Sequence, residues 1–257
     1  MKAKKHFGQH FLHDQDVLRR IVDAIAPRSG QHLVEIGPGG GALTLPLLDR
    51  IGCLTAIELD RDLHLPLRQR ARSHGALELI EANVLDVDFS ALAVRVGGAL
   101  RVVGNLPYYL SSPILFHCLA HRHAIRDMTF LLQKEVVERI VAAPGSKVYG
   151  RLSVMLQLAC RVEALLEVPP AAFTPPPKVD SALVRLQPRP DEEQPQVDPE
   201  RLARVVRAAF GKRRKTLGNA LKGVLEPGEI RHAGIDPGVR AETLPPPAFT
   251  DLALRLG

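Results

Sequence analysis

Between Leu33 and Leu132, five short apolar runs alternate with stretches of helical periodicity: Leu33–Ile36, Leu54–Ile57, Leu77–Ile80, Leu100–Val103 and Met128–Leu132. A strand buried on both faces reads as a continuous apolar run, and its parallel neighbour needs a crossover long enough for a helix. The alternation therefore predicts a doubly wound α/β fold with a parallel sheet covered on both sides. Two later runs, Val154–Val168 and Val179–Leu186, flank the loop 169–178 and are expected to pair antiparallel at one sheet edge.

At 257 residues and 46% hydrophobic content, the chain can bury a sizeable core and hold two unequal domains. Gln187–Pro199 carries Pro188, Pro190, Pro195 and Pro199 beside Asp191, Glu192 and Glu193, a composition unsuited to helix or strand. The boundary is set there, with an α/β domain over 1–187 and a small helical domain over 188–257. In the second, Arg201–Lys222 has a helical apolar pattern and holds eight Lys or Arg with no Asp or Glu, including Lys212, Arg213, Arg214 and Lys215. With a net charge of +6, an anionic partner is expected. Such a basic helix would neutralise phosphates in a salt-sensitive way and position a nucleic acid without reading its sequence.

Cys53, Cys118 and Cys160 are odd in number and widely spaced, so three buried free thiols in a reducing compartment are expected. No signal-type segment follows the basic residues Lys2, Lys4 and Lys5, and no run of 18 apolar residues occurs, which points to the cytoplasm and away from a membrane. His117 and His121 share a helix face, but no carboxylate or thiolate set accompanies them, and no metal is expected.

Glu35-Ile36-Gly37-Pro38-Gly39-Gly40-Gly41 follows the first predicted strand and precedes a helix starting near Leu43. Glycines there let the backbone turn sharply and approach a ligand closely. Glu58 ends the second strand, where doubly wound folds put an acid that accepts from ribose hydroxyls. Asn83, after the third strand, can donate to or accept from an adenine edge. The loop alone does not separate a dinucleotide from S-adenosylmethionine.

After the fourth strand stands Asn105-Leu106-Pro107-Tyr108. The amino lone pair of adenine is delocalised into its ring, so the nitrogen must be oriented before it can attack a methyl group. The side-chain carbonyl of Asn105 and the backbone carbonyl of Leu106 can each accept one amino hydrogen, drawing the nitrogen towards tetrahedral geometry. Pro107 stiffens the turn and Tyr108 offers a π face for the base, worth ~1–3 kcal/mol. A second ring, Phe173, sits in the proline-rich segment Phe173–Ser181 and is expected to sandwich an extruded base with Tyr108.

These residues resemble the KsgA/RsmA family of small-subunit ribosomal RNA dimethyladenosine transferases almost end to end. The likeness runs through Lys5–Leu12, the glycine loop, Glu58, the Asn105 loop, Leu132–Glu135, Tyr149–Val154 and Phe173–Ser181. It implies a Rossmann-like S-adenosylmethionine-dependent methyltransferase with a small helical carboxy-terminal domain. It also implies transfer of four methyl groups to two adjacent adenosines near the 3′ end of 16S rRNA, by a monomer acting on a late precursor of the 30S subunit, with S-adenosylhomocysteine as product. By position, the implied cofactor contacts are His10, Leu12, Gly37, Glu58, Asn83 and Asn105. His10 stands where the family generally has Asn, and Asn83 where it generally has Asp. The competing readings are an adenine methyltransferase acting on large-subunit rRNA or DNA, and an assembly or transcription factor in which methylation is secondary.

Overall fold

In the computed structural model, which describes residues 10–212 and 214–256, the five apolar runs are strands. The chain runs β1 (Phe11–Leu12), α1 (Gln15–Ile25), β2 (His32–Ile36), α2 (Thr44–Ile51), β3 (Cys53–Ile57), α3 (Arg61–Ala71), β4 (Ala76–Ile80), α4 (Phe89–Val96), β5 (Leu100–Asn105), α5 (Ser111–Ala120) and β6 (Ile125–Gln133). There follow α6 (Lys134–Val141), α7 (Arg151–Ala159), β7 (Cys160–Val168), β8 (Phe173–Thr174), β9 (Ser181–Pro188), α8 (Pro199–Gly211), α9 (Leu217–Ala220), α10 (Pro227–His232) and α11 (Pro246–Leu254). None of the described helices is long and apolar enough to cross a membrane.

Seven strands form one sheet in the order β4-β3-β2-β5-β6-β9-β7. From β2 the chain winds outward through β3 and β4, then returns to build β5 and β6 on the other side, all in parallel register. The order reverses between β2 and β5, and in such sheets the crevice beyond the strand ends at that point receives the ligand. Gly104 permits the close spacing there, because a Cβ on it would stand 2.5 Å from the carbonyl oxygen of Ile36. A separate two-stranded ribbon pairs Leu12 with Phe173 and ties the amino-terminal segment to the proline-rich loop.

The run Val154–Val168 is not one strand. Its first part lies in α7, which Gly150 opens by donating its N–H to the Ser153 hydroxyl at 3.1 Å. Val-Met-Leu-Gln-Leu-Ala suits a helix, and strand begins only at Cys160. β9 lies between β6 and β7 and pairs antiparallel with β6.

Two compact units result, one of residues 1–137 and 163–188, the other of 138–162 and 189–257. The second therefore differs from a domain beginning at 188, because it takes in an earlier segment. Tyr149, Val154 and Leu158 pack in one core with Val205, Val206, Phe249 and Leu252, and the Tyr149 hydroxyl donates to the Leu244 carbonyl at 2.9 Å. A composition break at the proline-rich stretch cannot reveal that an upstream helix joins this core.

In the first unit, Arg101 organises the end of the sheet opposite the ligand crevice. Its Nε donates to both oxygens of Asp127 (3.0 and 2.9 Å), Nη1 to Gln31 Oε1 (2.7 Å) and Nη2 to the Ile25 carbonyl (2.7 Å). Nη1 also reaches the carbonyl of Ala26, the left-handed residue that ends α1 at φ 49°. A non-glycine residue adopts that conformation at a cost, and here the guanidinium satisfies the carbonyls around it. Arg101→Met is expected to destabilise the protein by about 3 kcal/mol, since it leaves unpaired a carboxylate whose side chain is only 14% exposed. Arg101→Met/Asp127→Leu, which removes both charges, should lose less; urea unfolding of the two variants decides, and a larger loss in the double variant would refute the pairing argument.

Candidate active site

One cavity of about 1080 Å³ opens at the crevice, lined from within the first unit. That is at the upper end for small-ligand pockets. Gly37, Gly39 and Gly41 border it with φ of 66°, 54° and 85°, values that L side chains rarely adopt. Glu58, 8% exposed, pins this loop: Oε2 accepts from Gly39 N–H at 3.2 Å and Oε1 from Asp60 N–H at 2.8 Å. Burial raises its pKa above the ordinary carboxylate range. Each carboxylate oxygen keeps a second lone pair, the capacity that ribose hydroxyls require. Leu59, 52% exposed beside it, also lines the cavity and offers an apolar surface to an adenine ring.

Asn83 borders the cavity as the cap of a short turn, its Oδ1 accepting from Leu85 N–H at 3.1 Å. Oδ1 keeps a second lone pair, so Asn83 adds both an acceptor and its amide N–H groups to the lining. A buried acid, noted in the sequence only as the first residue of the glycine-loop motif, also faces the cavity. Glu35 is 2% exposed and accepts from the Thr44 hydroxyl at 2.7 Å. Desolvation pushes its pKa up to about 8, the Thr44 bond opposing and the nearby Glu58 adding to the rise.

Asn105 ends β5 on the same cavity. Its Nδ2 donates to the His10 carbonyl at 3.1 Å. Because a carbonyl can only accept, this bond settles the amide orientation and leaves Oδ1 as the acceptor Asn105 presents. Leu106 is buried and its N–H donates to Leu131 O at 3.2 Å, while Leu110 N–H and the Ser111 hydroxyl close the turn onto the carbonyl of Pro107. The imidazole of His10 stacks on Tyr108, ring centroids 5.6 Å apart and planes 26° from parallel. Nδ1 of His10 lies 2.7 Å from the Pro175 carbonyl, and the Tyr108 hydroxyl lies 2.8 Å from Ser181 Oγ. Burial raises the Tyr108 pKa. Leu12, buried, borders both the cavity and the core.

Phe173 does not join this group. It is 2% exposed, packs in the core with Leu12, Leu131 and Leu183, and is not among the residues lining the cavity. As β8 pairs with β1, strand alternation turns its ring inward. The proline-rich segment acts instead through the carbonyl of Pro175 and the hydroxyl of Ser181, which local sequence did not single out.

The described residues of the basic block are not helical. α8 ends at Gly211, and Lys212, Arg214 and Lys215 stand exposed in the turn that follows; Arg213 lies outside the described residues, as does the segment Lys5–Gln9. His117 and His121 pack around Phe89, with His117 Nε2 2.8 Å from Val87 O and His121 Nδ1 3.0 Å from Ser90 Oγ. Among the described residues, no group of three or more His, Cys, Asp or Glu converges as a metal site would require. The three cysteines are free thiols, but only Cys118 and Cys160 are buried; Cys53, which opens β3, is exposed, contrary to the expectation of three buried thiols.

The family model for ribosomal RNA adenine dimethylase matches residues 1–256. The chain is 59% identical over 251 residues to the ribosomal RNA small subunit methyltransferase A of Xanthomonas euvesicatoria pv. vesicatoria, covering 98% of this chain and 95% of that protein; the corresponding protein of Xanthomonas oryzae pv. oryzae shows the same values. Among solved structures, a dimethyladenosine transferase from Plasmodium falciparum superposes with a TM-score of 0.79 at 25% identity, covering 95% of this chain and 96% of that one. The 23S rRNA methyltransferase ErmE gives 0.73 at 27%, covering 96% and 99%. A glycine loop and buried acid at the switch point, an amide carbonyl presented beside them and this end-to-end likeness converge: the chain belongs to the ribosomal RNA adenine dimethylase family, whose members are S-adenosylmethionine-dependent methyltransferases acting on ribosomal RNA.

Proposed function

We propose that this protein dimethylates the exocyclic amino groups of two adjacent adenosines near the 3′ end of 16S rRNA, acting as a monomer on a late 30S precursor in the cytoplasm. The observation that carries the reading is that Asn105 borders the same cavity as the glycine loop and Glu58, so acceptor and cofactor side share one space. Gly37, Glu58, Asn83 and Leu12 would hold the cofactor. Bound S-adenosylmethionine supplies an electrophilic methyl group on a positively charged sulfur. The chain's part is positional: Asn105 Oδ1 accepts one amino hydrogen, the Leu106 carbonyl accepts the other, and the lone pair of the nitrogen is thereby aimed. The proton turns acidic as the C–N bond forms and leaves to water, so no strong base is needed. His10 backs one face of Tyr108 and Ser181 holds its hydroxyl, which orients the ring for stacking. Lys212, Arg213, Arg214 and Lys215 would bind phosphates.

The likeness to ErmE supports a second reading, methylation of large-subunit RNA, but 59% identity to small-subunit enzymes outweighs 27%. Primer extension on 30S particles that lack these methylations tests the choice. Incubation with protein and S-adenosylmethionine is expected to produce a stop at two adjacent adenosines; modification of free large-subunit RNA alone would sink the assignment.

A further inference from the structure

The chain has few aromatic residues, 4% in all and no Trp. Among the described residues, Tyr109 is the one aromatic in the set of large apolar side chains standing exposed, at 59%. It occupies the short 3-10 turn Tyr108–Leu110 and lines the cavity. Successive side chains on such a turn diverge by about 120°. Tyr108 accordingly meets His10 and Ser181, while Tyr109 faces outward.

An enzyme that works on a base held in the RNA must separate that base from its neighbour, losing a stack, and the neighbour's face is then left in water. Two tyrosines splayed from consecutive positions match that geometry: one for the target, one for the base next to it. Aromatic stacking suits any base, so the second ring need not read sequence.

We propose that Tyr109 is the stacking platform for the nucleotide adjoining the target adenosine, a substrate-positioning residue that makes up for the stack lost on extrusion. This rests on the reading of the cavity as an adenosine methylation site. Tyr109 borders the cavity without being one of the proposed acceptors, so its effect belongs to RNA binding rather than to orientation of the amine.

The test uses the full-length protein loaded with S-adenosylhomocysteine and a short single-stranded RNA carrying two adjacent adenosines, one replaced by 2-aminopurine, whose fluorescence is quenched on stacking. Steady-state methylation of 30S particles is measured alongside. Tyr109→Ala is expected to weaken RNA binding and raise KM about tenfold, the equivalent of roughly 1.4 kcal/mol. Tyr109→Phe should restore both to within about twofold, because the ring and not the hydroxyl makes the contact. Wild-type-like RNA binding by Tyr109→Ala, failure of Tyr109→Phe to rescue, or a matching loss of S-adenosylhomocysteine affinity by calorimetry would each overturn the proposal. If the wild type binds the oligonucleotide through Tyr109 yet methylates no small-subunit particle, the proposed substrate fails and the stacking role stands.

Discussion

Asn105→Ala is expected to lose methyl transfer by about 10²–10³-fold while RNA still binds. The structure sharpens why. The Nδ2–His10 bond orients the amide so that Oδ1 is the free acceptor, and truncation removes both the acceptor and the tie to the amino-terminal segment. Removing one preorganised hydrogen-bond partner of a developing charge costs in this range. Asn105→Asp separates the two effects: it keeps an acceptor of the same size but turns the His10-facing donor into an oxygen opposite a carbonyl, and should fall between wild type and Asn105→Ala. Single-turnover methylation with both partners saturating reads the chemical step directly. Equal rates for Asn105→Ala and wild type would remove Asn105 from the mechanism.

Glu35→Gln is expected to stabilise the protein at alkaline pH, by roughly 3–5 kcal/mol at pH 9, with little gain at pH 5. The sign follows from proton binding. Glu35 holds its proton up to about pH 8 in the folded chain but releases it near 4.5 when unfolded, so between those values the folded state binds more protons. Stability therefore declines as pH rises through that window and stays reduced above it. Gln reproduces the neutral form and keeps an oxygen for the Thr44 hydroxyl. Urea unfolding at pH 5, 7 and 9 measures the difference, and an advantage independent of pH would show that ionisation of Glu35 is not its source.

The local signals that survived folding were those carried by periodicity and backbone chemistry. The five apolar runs became β2 to β6, the inner strands β2, β5 and β6 largely buried and the edge strand β4 only partly so but paired in parallel with β3, and the glycine loop took positive φ where its sequence allowed it. The end-to-end pattern from the glycine loop through Asn105 to the proline-rich segment was enough to indicate the family, since it needs only residue identity and order.

Sequence by itself thus determined the sheet, the ligand end of it and the residue types available for methyl transfer. Tertiary structure decided which partners they meet. Phe173 and Tyr108 read alike as aromatic side chains, but pairing of β8 with β1 turns Phe173 into the core while His10 and Ser181 hold Tyr108 at the cavity. The segment 138–162 joins the second unit because its apolar residues find their core beyond Arg189, at a separation no local window spans. Asn105 owes its usable oxygen to a carbonyl 95 positions away. Propensity acts over a few residues, whereas packing and hydrogen-bond orientation depend on what the fold brings near, which is why the architecture was legible along the chain and the wiring of the site was not.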